Sequence, residues 1–153
     1  MANTYHPVYI QVVFAVKYRN AVIEEKWKSN LCGVIGNLIN ETGCKTMIIN
    51  GVEDHVHCLL ALKPTITISE VMKTVKAKSS KYINDNQLTK SKFSWQEGYG
   101  VFSYSQSQID SVYKYIQNQK EHHKKQNFNE EYLNFLNKFN VQYEERYIFE
   151  DLM

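Results

Sequence analysis

The spacing of apolar residues switches between two periods along this chain, and the switches mark its elements. Residues 8–17, VYIQVVFAVK, are β-branched and aromatic and predict a first strand. Over residues 22–41 the period lengthens. Trp27, Leu31, Val34, Ile35, Leu38 and Ile39 fall at helical spacing, and Gly43 predicts the helix end. CKTMIIN, residues 44–50, predicts a second strand, and the turn chemistry of NGVED leads into a third at 55–62, stopped by Pro64. Residues 68–84 return to helical spacing, with Ile68, Val71, Met72, Val75, Ser79, Tyr82 and Ile83 on one side. Lys73, Lys76, Lys78 and Lys81 spread around the other side. Residues 85–98 read as a polar loop apart from Phe93 and Trp95, and GVFSYS (100–105) predicts a short fourth strand. A third helix is expected from near Gln108, capped by Ser107, to about Gln126, and a fourth over 128–140.

The order β-α-β-β-α-β predicts a ferredoxin-like α+β fold: an antiparallel sheet with helices on one face, and extra C-terminal helices. With no repeat and no linker-like stretch, residues 1–153 read as a single domain, long enough to bury a core. A hydrophobic share of 43%, with only two prolines and six glycines, excludes a disordered chain. Eighteen Lys and Arg against sixteen Asp and Glu leave a net charge of +2, so any basic surface must come from local clustering. Cys32, Cys44 and Cys58 are odd in number and lack CxxC spacing. That argues against a disulfide framework or a zinc knuckle and fits a reducing cytoplasm. The N-terminal MANTYHPVYIQ has no basic region followed by an apolar one, and no apolar run is long enough for a bilayer, so no membrane association is expected.

Chemistry enters through EDHVHCLLAL, residues 53–62. Val56, Leu59, Leu60, Ala61 and Leu62 suit an interior strand, whereas His55 and His57 do not. Side chains alternate across a strand, so the two imidazoles point the same way, with Cys58 and Val56 on the other side. Glu53 shares their face if the strand begins early. Two neutral imidazoles on a rigid strand make half of a metal site and require a third ligand elsewhere. The helix after Gln108 offers candidates. Ile109, Val112 and Ile116 form its packing stripe, with Tyr113 within it, while Tyr115 and Gln119, four apart, flank that stripe with His122 beside them. This places Tyr115 at the border between core and solvent. The same spacing also occurs at Tyr104/Gln108 and Tyr113/Gln117, so spacing alone selects no tyrosine.

DHVHCLLAL (54–62), WQEGYGVFSYS (95–105) and YIQNQKEHH (115–123), in that order and separation, resemble the IS200/IS605-type single-strand DNA transposases, the one-tyrosine branch of the HUH nucleases. The resemblance runs from the first strand to ERYIF at 145–149. It implies that His55 and His57 are paired ligands of a divalent metal, that Gln119 is the third ligand, and that Tyr115, carried on the late helix, is the nucleophile. It also implies Mg²⁺, with Mn²⁺ as a substitute, a homodimer, and single-stranded DNA with imperfect hairpins at the ends of a mobile element.

The residue types suit that chemistry. Rejoining a strand without ATP requires the phosphodiester energy to be kept, and a covalent phosphotyrosine keeps it. A phenol, with a pKa near 10, is a better leaving group than a serine alkoxide in the return step. Two imidazoles and an amide oxygen are neutral ligands. They leave the ion's charge to face a phosphate, which implies weak ion binding before DNA arrives. Lys73, Lys76, Lys81, Lys124 and Lys125 are candidates for backbone contact with DNA, His122 for proton transfer, and Trp95, Tyr99 and Phe102 for stacking. Core packing is the stronger expectation for Trp95 and Phe102. Three other readings compete: an HUH-type nickase or housekeeping relative, a non-catalytic nucleic-acid-binding module, and a zinc hydrolase. The chain has no room for an added helicase or primase, no RNP1-like aromatic run, and no HExxH.

Overall fold

The computed structural model describes residues 8–121 and 127–139. Strands β1 (Tyr9–Ala15), β2 (Lys45–Gly51), β3 (His55–Ala61) and β4 (Gly100–Tyr104) form one sheet in the order β2-β3-β1-β4. Every neighbouring pair is antiparallel, so the expected α+β architecture is present. The central strands β1 and β3 are buried along nearly their whole length, because helices cover both sides of the sheet.

One side is the expected apolar core. Ile10, Val12 and Phe14 of β1 and Val56, Cys58 and Leu60 of β3 meet α1 (Glu25–Glu41) and α2 (Ile68–Asp85). The helices answer with Trp27, Leu31, Ile35 and Ile39 from α1 and Val71, Met72, Val75 and Ile83 from α2. Full burial of each such side chain stabilises by roughly 1.5–3 kcal/mol before chain entropy is set against it. Gly43 ends α1 as expected, with a φ of 94° that an L side chain resists. Thr67 caps α2 by accepting from the Glu70 N–H at 3.1 Å. Phe93 and Trp95 join this core. Trp95 meets Phe14 edge-on at 4.7 Å and donates its indole N–H to Ser79 Oγ at 2.9 Å, which explains a fully buried serine.

The late helices lie on the opposite side. Val13, Ala15, Leu59, Phe102 and Tyr104 pack there against α3 (Ile109–Gln117) and α4 (Phe128–Lys138). The start of α3 is set by Ser105 rather than the expected Ser107: a 3-10 turn at Gln106–Gln108 leads in, and Gln108 Oε1 accepts from the Ser105 N–H at 2.9 Å. The helix is also shorter than expected. Asn118 leaves helical geometry at φ −100°, ψ 26°, and residues 119–121 then turn helical again. The expected continuation to Gln126 lies outside the described residues. A bulge between Thr46 and Ile48 shifts the register of β2 and sets Asn50 opposite His57.

Candidate active site

Alternation along β3 delivers His55 and His57 to the α3/α4 side, their ring centroids 5.1 Å apart. Both are buried, at 1% and 0% exposure, so every ring nitrogen needs a partner. Each ring is held from behind by its Nδ1. His55 Nδ1 donates to Asp54 Oδ1 at 2.7 Å. His57 Nδ1 accepts from Gln11 Nε2 at 2.8 Å, and Gln11 Oε1 accepts in turn from the Tyr104 hydroxyl at 2.7 Å. That relay crosses the sheet from β4 through β1 to β3.

Both Nε2 atoms point toward one carboxylate. Glu131 Oε1 accepts from His55 Nε2 at 3.1 Å and from His57 Nε2 at 3.0 Å. His55 Nε2 also meets Gln119 Oε1 at 3.2 Å. Acceptors at both nitrogens favour the protonated, positively charged form of His55. Burial opposes that charge, but the Asp54 and Glu131 carboxylates overcome it and push the pKa up to about 9. Burial likewise opposes the Glu131 carboxylate, yet the hydrogen bonds and charge of His55 and His57 hold it well below the usual range. The second oxygen, Oε2, accepts from the Tyr115 hydroxyl and, at 3.2 Å, from Gln119 Nε2.

Three features place Tyr115. Ile109, Val112 and Ile116 are buried and fix the roll of α3, leaving Tyr115 half-buried at the edge of that stripe. Asn50 Nδ2 then pins the end of the helix to β2, donating to the Ile116 carbonyl at 2.9 Å and the Gln117 carbonyl at 3.1 Å. Finally, the tyrosine ring packs edge-on against Phe135 at 5.7 Å and faces His57 at 6.0 Å. A cleft of about 300 Å³, bordered by Gln11, Tyr104, Tyr115, Glu131 and Phe135, opens beside it. Tyr113, expected within the packing stripe, is instead 38% exposed, and only Ile109, Val112 and Ile116 of α3 are buried.

His55, His57, Tyr115 and Gln119, selected from separate stretches of sequence, thus converge within one chain. Their donor set suits a cation: His55, His57 and Glu131 each offer a ligand atom, all within 4.8 Å of one another, and both imidazoles are already oriented from behind. Glu131, Gln11 and Asp54 were not singled out in the sequence. Gln11 carries a signal, as the one polar residue of YIQVVFA. Glu131 carries a subtler one: it shares a helical stripe with Phe128, Tyr132 and Phe135, where an acid is out of place.

The candidate lysines are not gathered here. Lys73, Lys76 and Lys81 lie on α2, across the sheet from the histidines. Lys73 is exposed. Lys76 donates to the carbonyls of Gln96 at 2.7 Å and Gly98 at 2.5 Å, and burial lowers its pKa against the opposing charge of Glu97. Lys81 pairs with Asp85 at 2.5 Å. His122, Lys124 and Lys125 lie outside the described residues. Trp95 and Phe102 are core residues, at 8% and 2% exposure, while Tyr99 stays exposed beside the Lys76 ammonium. Glu53 precedes β3 and is exposed.

Residues 4–119 match the family model described as "Transposase IS200 like". The chain belongs to the IS200-like transposases, a family whose chemistry is in general DNA strand cleavage and transfer. Among curated relatives, it is 24% identical over 113 residues to the ISDra2 transposase TnpA of Deinococcus radiodurans, covering 71% of this chain and 81% of that protein. Among solved structures, it is similar to a candidate transposase from Deinococcus radiodurans R1, with a TM-score of 0.62 at 22% identity over 78% of this chain and 96% of that one. It is also similar to a REP-associated tyrosine transposase bound to a REP hairpin, with a TM-score of 0.59 at 12% identity over 80% of this chain and 73% of that one. These two likenesses establish the fold. No helix among the described residues is long and apolar enough to cross a membrane.

Proposed function

We propose that this chain cleaves and rejoins single-stranded DNA at the ends of a mobile element through a 5′-phosphotyrosine on Tyr115. A divalent ion, Mg²⁺ or in its place Mn²⁺, is held by His55, His57 and Gln119. The observation that carries this reading is the convergence of a phenol, two imidazoles oriented from behind and an amide oxygen in one buried cluster. The ion supplies Lewis-acid stabilisation of charge on the scissile phosphate.

The chain's own residues do the rest. Phe135 and the Asn50-anchored end of α3 hold the Tyr115 ring in place, and its oxygen forms the new bond to phosphorus. The bond from phosphorus to the 3′-oxygen breaks, the phenolic proton is lost, and the departing 3′-oxygen takes up a proton. Attack by another 3′-OH reverses the exchange and frees the tyrosine. No bond energy is lost, so no nucleotide cofactor is required.

The substrate is single-stranded DNA carrying a hairpin, in keeping with the REP-associated neighbour whose structure holds one. The working unit is a homodimer, which lets two DNA ends be handled together. Lys73 contacts the DNA backbone from α2, and Lys124 and Lys125 contact it as well. Lys76 and Lys81 contribute less, being engaged within the chain. The protein works in the cytoplasm, where Cys32, Cys44 and Cys58 remain free thiols.

The test is a covalent-adduct assay. Incubation with Mg²⁺ and labelled single-stranded hairpin DNA is expected to give a protein–DNA adduct that survives denaturation. Tyr115→Phe and His57→Ala should each abolish it, with hairpin binding retained by Tyr115→Phe. An adduct persisting in Tyr115→Phe would remove Tyr115 from the nucleophile's role.

A further inference from the structure

Glu131 touches every member of the cluster: Oε1 lies 3.1 and 3.0 Å from the two histidine Nε2 atoms, and Oε2 accepts from the Tyr115 hydroxyl and from Gln119. We infer that Glu131 is a working residue of the site, its Oε1 an anionic ligand beside His55 and His57 and its Oε2 the acceptor that holds the Tyr115 hydroxyl against that ion. This rests on the metal-and-tyrosine reading above and changes its electrostatics.

Three observations support it. First, both Nδ1 atoms are committed to Asp54 and Gln11, so the Nε2 atoms are the ones left for an ion, and Glu131 Oε1 is the anionic oxygen set between them. The three ligand atoms lie within 4.8 Å of one another, a spread one cation can draw together. Second, Glu131 is only 4% exposed on a stripe otherwise made of Phe128, Tyr132, Phe135 and Leu136. Packing alone favours an apolar residue there, because a buried ion pair often gains nothing over a hydrophobic replacement. Third, the carboxylate's two oxygens face two different partners, so one rigid group fixes the distance between the histidine pair and the phenol.

The charge has a direct consequence. Two imidazoles and an amide give a neutral set that leaves ion binding to the DNA. Adding one carboxylate gives a set able to hold a divalent ion before DNA arrives. The site would then carry one negative charge among the residues that would hold the ion. α4, which supplies Glu131, becomes part of the catalytic unit rather than a cover for it.

Calorimetric titration of Mn²⁺ into the full chain without DNA decides the first half. Wild type is expected to take up one ion, His57→Ala none, and Glu131→Gln is expected to bind at least roughly 10- to 100-fold more weakly, the loss usual even for second-shell changes. Glu131→Asp, which keeps the charge on a shorter stem, should recover part of the affinity and serves if the glutamine variant fails to fold. Unchanged affinity in Glu131→Gln, or no uptake by wild type, overturns Glu131 as a ligand. If His57→Ala binds as well as wild type, the metal site itself is misassigned, a separate failure. The second half is read from adduct formation at saturating Mn²⁺. There Glu131→Gln is expected to stay about tenfold slow, because a neutral amide holds the hydroxyl more weakly than the carboxylate does. Full recovery at saturation overturns the positioning role. An adduct rate above wild type likewise overturns the positioning role and makes the carboxylate a restraint on the phenol.

Discussion

The two sides of β3 are equally buried and differ in almost everything else. Toward α1 and α2 the strand presents Val56, Cys58 and Leu60, and toward α3 and α4 it presents His55, His57 and Leu59. On the first side the stabilisation comes from apolar area removed from water, which is non-directional and tolerates swaps of similar volume. On the second, apolar packing around Leu59 is joined by a set of hydrogen bonds linking His55, His57, Glu131, Tyr115 and Gln119. Such a set loses far more from one missing atom than from a change of volume. One strand thus carries a stability surface and a chemical surface at a two-residue period, and substitutions on the two should have separable effects.

The largest separation is expected between Tyr115→Phe and Leu60→Ala. Tyr115→Phe should take the adduct below detection while the ring keeps its contacts with Phe135 and His57, so that unfolding loses only the hydrogen bond to Glu131, about 1–3 kcal/mol. Leu60→Ala should cost about 2–5 kcal/mol in denaturant unfolding, yet its folded fraction should still form adduct. Loss of adduct in a folded Leu60 variant would dissolve the distinction between the sides.

A pH series sharpens the same contrast. His55 is raised from 6.5 to about 9, so its interactions with Asp54 and Glu131 stabilise fully below 6.5 and are lost as pH climbs through 9. Glu131 is depressed, so its share is present above 4.5 and lost as pH falls through its lowered value. Unfolding free energy in the presence of a chelator is therefore expected to be greatest between these limits and to drop by something on the order of 3 kcal/mol toward pH 9.5. Leu60→Ala should keep that slope and His55→Gln should flatten it. An unflattened slope in His55→Gln would place its source elsewhere.

Smaller effects follow. Gln11→Leu removes the donor behind His57 and strands the Tyr104 hydroxyl, which burial already pushes up to about 12. A loss of about 1–3 kcal/mol is expected on unfolding, together with weaker Mn²⁺ uptake. Wild-type values for both would make the relay ornamental. The least effect belongs to Lys73→Ala on the far side of the sheet. Hairpin affinity should fall a few-fold and the salt dependence of log Kd should flatten by about one, with adduct yield per bound DNA unchanged.

What the sequence disclosed follows the same division. The apolar side was legible because its signal is repetitive: Leu31, Ile35 and Ile39 on α1 and Val71, Val75 and Ile83 on α2 restate one period many times. The histidine pair was legible because alternation on a strand is rigid. Glu131 was not, since a lone acid on a helix gives no hint of a partner 76 residues away in β3. Nor was the end of α3 at Asn118. Helical spacing continues through Lys120 without a proline or glycine, while the carbonyls at the end of α3 bond instead to Asn50 of β2. Tertiary contacts of this kind overrule local propensity and leave no mark on it.

Gly100 ties the chemical side to a position with no chemistry of its own. A β-carbon there would come within 2.7 Å of the Tyr132 ring, which stacks on Phe128, which in turn lies against His55. Alanine at this point of β4 would act as a wedge against the Tyr132 ring and its hydroxyl, pressing through Phe128 on the first turn of α4 beside the histidines. One methyl group on a strand two places removed from β3 would thereby reset how closely α4 sits against the histidine pair.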